Sequence, residues 1–200
     1  MIPLLLLLAV DPHIVFIKSF PGSEPAYMEI TVDNSGAVTY KEDPNDDDPD
    51  KFQLDADSKN QIFDLATRLD HFSHSLESGL KVARMGDKTF RWQNGSEQHE
   101  EKFNYSLDEN ARELQDWFER ISETERLLAS LDRAMRHDKL GVNDAMIALE
   151  DSWQRKRLVT PEQFLPVLDR LAKNDAYMHM DRERAARLAD AIRAAKAKPE

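Results

Sequence analysis

The chain of 200 residues contains no cysteine, so it has no disulfides, thiol nucleophiles or thiolate metal sites. That absence fits a cytosolic protein, and equally a secreted one that is stable without staples. Clustered positive charge is also missing. Lys and Arg number 27 against 38 Asp and Glu, for a net charge of −11, which argues against a general nucleic-acid binder because phosphate contacts need grouped cations. There is no G-x-S-x-G nucleophile motif, and Gly79 and Gly86 stand alone and make no phosphate-cradling pattern. Nothing in the sequence calls for a cofactor.

The apolar run at residues 2–10, IPLLLLLAV, is far shorter than the ~20 residues that cross a bilayer, so no stable membrane span is expected. It has the length of a signal-peptide core, although no Lys or Arg precedes it and no small-x-small cleavage site follows. An apolar edge strand is the alternative, but consecutive leucines are poorer strand material than the β-branched IVFI that comes next. The expectation is export, periplasmic or extracellular, with the mature chain beginning near Asp11. If residues 1–10 are not a signal, the protein is cytoplasmic.

What is present is alternation. Residues 80–105, LKVARMGDKTFRWQNGSEQHEEKFNY, contain Gly86-Asp87 and Asn94-Gly95, which suit type II′ and type I′ hairpin turns. Phe90 and Trp92 point one way and Thr89, Arg91 and Gln93 the other, so a three-stranded meander is expected at 80–85, 88–93 and 97–105. A first meander is expected over residues 13–20, 26–33 and 37–41. Residues 42–57 carry eight acids and one Lys, and their prolines and like charges predict irregular chain. Asp57 then caps a helix to about Leu76, with Ile62, Leu65, Ala66, Leu69, Phe72 and Leu76 on one stripe. Ser106 and Glu109 form a capping box for a helix reaching about Arg136. Helices follow at about 143–156, from Thr160, and over 175–195. The predicted class is α+β: two three-stranded antiparallel meanders each followed by a helix, βββα-βββα, then a C-terminal helical segment. Residues 11–121 form the sheet domain and 122–200 the helical segment packed on it.

Candidate chemistry is sparse. Asp43, Asn45 and Asp47 match the opening ligands of an EF-hand loop, but Asp48 replaces the required Gly and Leu54 the bidentate Glu. A solvated acidic loop is the plainer reading. His71 and His74 lie one helical turn apart with Asp70 and Glu77 nearby, a spacing that suits two imidazoles on one metal, without a third ligand. The tryptophans Trp92, Trp117 and Trp153 read as core. The loop Pro21, Gly22, Ser23, Glu24, Pro25, stiffened by a proline at each end, is the candidate binding element, since loops on rigid sheets often carry recognition.

The stretch FRWQNGSEQHEEKFNYSLDENARELQDWFERI, a strand, an Asn-Gly turn, a strand and an amphipathic helix, resembles the end of emfourin-type domains. Those are small bacterial inhibitors of thermolysin-like metallopeptidases. The likeness covers roughly residues 13–121, is one of pattern, and transfers no inhibitory residue. It implies a peptidase inhibitor. The whole chain also resembles exported bacterial proteins of similar length whose function is unknown, which implies no activity. The leading expectation is an exported, non-enzymatic domain that binds a protein partner. The competing classes are a hydrolase using Asp70, His71, His74, Glu77 and the acids of 42–50, which a shared cleft would mark, and a structural envelope protein, which self-association would mark.

Overall fold

The computed structural model describes residues 11–197, so the expected signal segment at 1–10 lies outside the described residues. By its internal contacts the chain divides into two compact units, one ending at Phe118 and the other beginning at Glu119.

The first unit is built on a single six-stranded antiparallel sheet of order β4-β3-β2-β1-β5-β6. Its strands are β1 (His13–Ser19), β2 (Tyr27–Asp33), β3 (Ala37–Lys41), β4 (Asp50–Gln53), β5 (Asp87–Asn94) and β6 (Glu97–Phe103). Helix α1 (Ala56–Arg68) lies between β4 and β5, and α2 (Glu109–His137) follows β6. The protein is therefore α+β, but the βββα-βββα arrangement is corrected: the strands share one sheet, and four precede α1 while two follow it.

Two substitutions of role explain the difference. Residues 80–85 are not a strand. β5 has two edges, and β1 occupies one (Phe16 opposite Phe90) while β6 occupies the other (Trp92 opposite His99), so a third partner has nowhere to pair. The fourth strand of the first group comes instead from the acidic stretch, where Phe52 sits opposite Val38. It is four residues long and charged, and β6 at the opposite edge reads EQHEEKF; short, charged edges discourage pairing with other chains.

Side chains of one parity line the covered face: Tyr40, Ile30, Phe16 and Phe90 run across it, with Val38, Val32, Ile14 and Trp92 in the next row. Phe16 packs on Phe118 at 5.0 Å and on Phe90 at 5.3 Å between ring centroids, and all three rings are fully buried. Burying side chains of this size contributes roughly 2–3 kcal/mol each before entropy is charged. Asp55 caps α1 by accepting from the Ser58 N–H at 2.8 Å. The helix stops at Arg68 instead of Leu76. Asp70, His71 and Phe72 take positive φ values of 49°, 49° and 64°, and this turn still lays Phe72 on Phe90 at 5.0 Å. Asp108, not Ser106, caps α2, accepting from Asn110 N–H at 2.8 Å.

The second unit is helical: the end of α2, then α3 (Gly141–Gln154), α4 (Leu165–Ala172) and α5 (His179–Lys196). Leu131, Met146, Leu149, Phe164, Leu168, Leu171 and Ala185 form its fully buried core. Thr124 ties α2 to the chain before α4, accepting from Val159 N–H at 3.0 Å. Glu123 accepts from Ser152 Oγ at 2.9 Å and Arg157 Nε at 2.6 Å. Asp181 is fully buried with neither carboxylate oxygen hydrogen-bonded, and burial raises its pKa. Among the described residues no helix is long and apolar enough to cross a membrane.

Candidate functional site

One end of the sheet gathers two connecting loops. β1 leaves it at Ser19, opposite Asp87 where β5 begins, so residues 20–26 and residues 79–86 are neighbours. A Cβ placed on Gly86, whose φ is 94°, would come within 2.9 Å of the Phe20 Cβ. The close approach and the positive φ both require glycine there.

The 20–26 loop is bonded to itself. Phe20 N–H donates to Ala26 O at 2.9 Å and Ser23 N–H to Phe20 O at 3.0 Å. Ser23 Oγ lies 2.7 Å from both Phe20 O and Pro25 O. Pro21, Gly22 and Glu24 are exposed, and Pro25 follows a cis bond. Ser23 thus has a turn-closing role.

The 79–86 segment is held from outside. Residues 75–86 belong to no helix or strand, and 79–85 are exposed. Behind them stands Asn104, just past the end of β6. Its Nδ2 donates to Ala83 O at 3.1 Å and its Oδ1 accepts from Met85 N–H at 2.6 Å. Asn104 is itself anchored: its N–H donates to Glu77 Oε2 at 2.6 Å, and its carbonyl accepts from Lys88 Nζ at 2.6 Å. That ammonium is buried, 5.8 Å from the centre of the Phe103 ring, and also reaches Met85 O at 3.3 Å. Ser78 N–H donates to Tyr105 O at 2.8 Å and fixes the start of the segment. The Asn104 N–H holds the Glu77 carboxyl below the usual glutamate range, helped by Ser78, Gly79 and Tyr105. Beside this network a concavity of about 510 Å³ is lined by Ile17, Ser19, Asp87, Thr89, Lys102 and Asn104.

What the segment presents is apolar. Leu80 is 52% exposed, Val82 41% and Met85 52%, and Leu107, which follows Asn104 closely, is 56% exposed. Among the described residues these are all the exposed large hydrophobic side chains of the sheet unit. Lys81 and Arg84 lie between them, in a half of the chain that is strongly acidic.

The other residues singled out from sequence are dispersed. Because α1 ends early, His71 and His74 do not share a helical face. His71 stacks on Trp92 with 4.1 Å between centroids, and its carbonyl lies 3.1 Å from His99 Nδ1. His74 is exposed, and Asp70 accepts from Ser73 Oγ. In the acidic loop Asp43 accepts from Asn45 N–H at 2.8 Å, closing a turn on itself, while Asp47 is exposed. Asp50 is pushed up by burial and by the nearby Asp46, Asp48 and Glu42 carboxylates. Among the described residues no group of three or more His, Asp or Glu could hold a metal ion. Trp92 is core as expected, whereas Trp153 is half-buried and, with Arg120, Lys156 and Leu158, lines a second concavity in the helical unit.

Compared with protein-family models the chain matches none, and no match was found among curated proteins.

Proposed function

We propose that this protein acts by binding another protein, and that the 79–86 segment at the loop end of the sheet is its contact element. The observation that carries the reading is the concentration of exposed apolar side chains on one segment held in place by Asn104, Lys88 and Glu77. A segment held in its binding shape before contact loses little conformational entropy on association, so more of its contact energy appears as affinity. Exposed large apolar groups gathered at one place are what an interface core uses. The neighbouring 21–25 loop stands beside them as rim.

Export would place the partner outside the cytoplasm, and a peptidase there is the concrete form of the idea that the emfourin likeness suggests. A capture experiment tests the reading. Tagged wild type is compared with a Leu80→Asp, Met85→Asp double variant whose fold is verified by circular dichroism. The reading predicts a stoichiometric partner on the wild type that the double variant fails to retain. Equal retention by both would remove the 79–86 segment from the account.

A further inference from the structure

Within the held segment one residue is bracketed by the same side chain, which grips the carbonyl before it and the N–H after it. Asn104 Nδ2 binds Ala83 O, and Asn104 Oδ1 binds the N–H of Met85. Arg84 lies between these two anchors, with its side chain 70% exposed and paired only with the equally accessible Asp87. Val82 N–H bonds Leu80 O at 2.9 Å, a tuck at Lys81, after which the chain runs on without a turn through Gly86. The N–H groups of Lys81, Ala83 and Arg84 have no hydrogen-bond partner among the described residues. Extended backbone with open donors, and side chains that stand clear of the body, is what a peptide-binding cleft reads.

We propose that the bond between Arg84 and Met85 is a reactive-site bond: residues 82–85 occupy the cleft of a peptidase that cuts after a basic side chain, as a substrate cleaved slowly and reversibly. This rests on the protein-binding reading above and names its partner by chemistry. The cleft needs a carboxylate for the Arg84 guanidinium and apolar room for Val82 and Met85. Taking Arg84 from Asp87 costs little, because the pair is solvated.

The chemistry follows from the anchors. A serine hydroxyl of the peptidase adds to the Arg84 carbonyl, and the C–N bond breaks. The bonding electron pair stays on the Met85 nitrogen, which takes the hydroxyl proton by way of the peptidase's base and becomes an amine. In a free peptide that amine diffuses away and water releases the acyl group. Here Asn104 and the start of β5 keep the amine beside the ester carbonyl, so the reverse attack is effectively unimolecular and restores the bond.

Trypsin is the probe. The full chain is titrated against it with a small arginyl chromogenic substrate, while mass spectrometry follows the chain. The proposal predicts that activity falls with added protein, that the first cut lies between Arg84 and Met85, and that cutting stops short of completion. Arg84→Ala abolishes inhibition. Asn104→Ala is cut at the same bond to completion, about tenfold faster or more, without inhibiting. A first cut elsewhere, or wild type cut as fast as Asn104→Ala with no loss of trypsin activity, overturns the proposal. Inhibition that survives Arg84→Ala overturns it as well. If it falls while the captured partner is still lost on Leu80→Asp, Met85→Asp, the binding segment stands and only the peptidase is wrong; if both results fail, the binding reading falls with it.

Discussion

The two loops that share the sheet end are built on opposite plans. Residues 20–26 close on themselves through Phe20, Ser23 and Ala26. Residues 79–86 make one short internal bond and otherwise depend on Glu77, Lys88 and Asn104 behind them. The self-bonded loop carries polar residues and prolines to the surface. The braced one carries Leu80, Val82 and Met85. A loop that satisfies its own backbone has few groups left to offer, whereas a braced one keeps its shape and leaves its outer edge open.

Several substitutions should break or sharpen that contrast. The largest effect is expected from Gly86→Val, which forces a β-branched residue to φ 94° and into Phe20. It should lower stability by about 3 kcal/mol in denaturant unfolding and disturb both loops, because Gly86 is where they touch. Asn104→Ala comes next, at about 2 kcal/mol, since it leaves Ala83 O and Met85 N–H without their partner. Its effect should be confined to 79–86, seen as faster proteolysis there and unchanged chemical shifts at 20–26. Ser23→Ala should cost about 1 kcal/mol and show the reverse pattern, perturbing 20–26 while leaving Met85 in place.

The smallest effect is a pH dependence peculiar to the braced loop. The Glu77 carboxyl is lowered below its ordinary value of 4.5 in the folded protein. Its contribution is therefore full above that ordinary value and is lost as pH falls through the lower folded one. The amide resonances of Gly79 and Asn104, whose N–H groups the Glu77 carboxylate accepts, should shift on acidification below pH 4.5. Glu77→Gln should flatten the response.

Much of the fold was legible in the sequence because its causes are local. The alternation in YMEITVD and TFRWQN specifies β2 and β5, and the hairpin expected at Asn94-Gly95 forms one residue later, with Gly95-Ser96 as the turn and Asn94 paired opposite Glu97. The misread elements depended on partners distant in sequence. Residues 80–85 have strand-like alternation but are excluded by β1, which takes the β5 edge from more than sixty positions away. The stripe from Ile62 to Leu76 does point inward throughout, yet left-handed residues at 70–72 break the helix so that Phe72 can reach Phe90. The candidate site was half legible. The proline-bounded 21–25 loop was visible as a loop, whereas the bracing of 79–86 by Asn104 and Lys88 is created by tertiary contacts. One signal was available: the apolar residues of LKVARM are interrupted by Lys81 and Arg84 ahead of the Gly-Asp pair.

Amide hydrogen exchange within 79–86, resolved residue by residue, tests the central claim most directly. A braced segment with an open outer edge predicts a slow amide at Met85, which donates to Asn104, beside fast amides at Lys81, Ala83 and Arg84. Fast exchange at all four, with Met85 no slower than Ala83, would contradict the account.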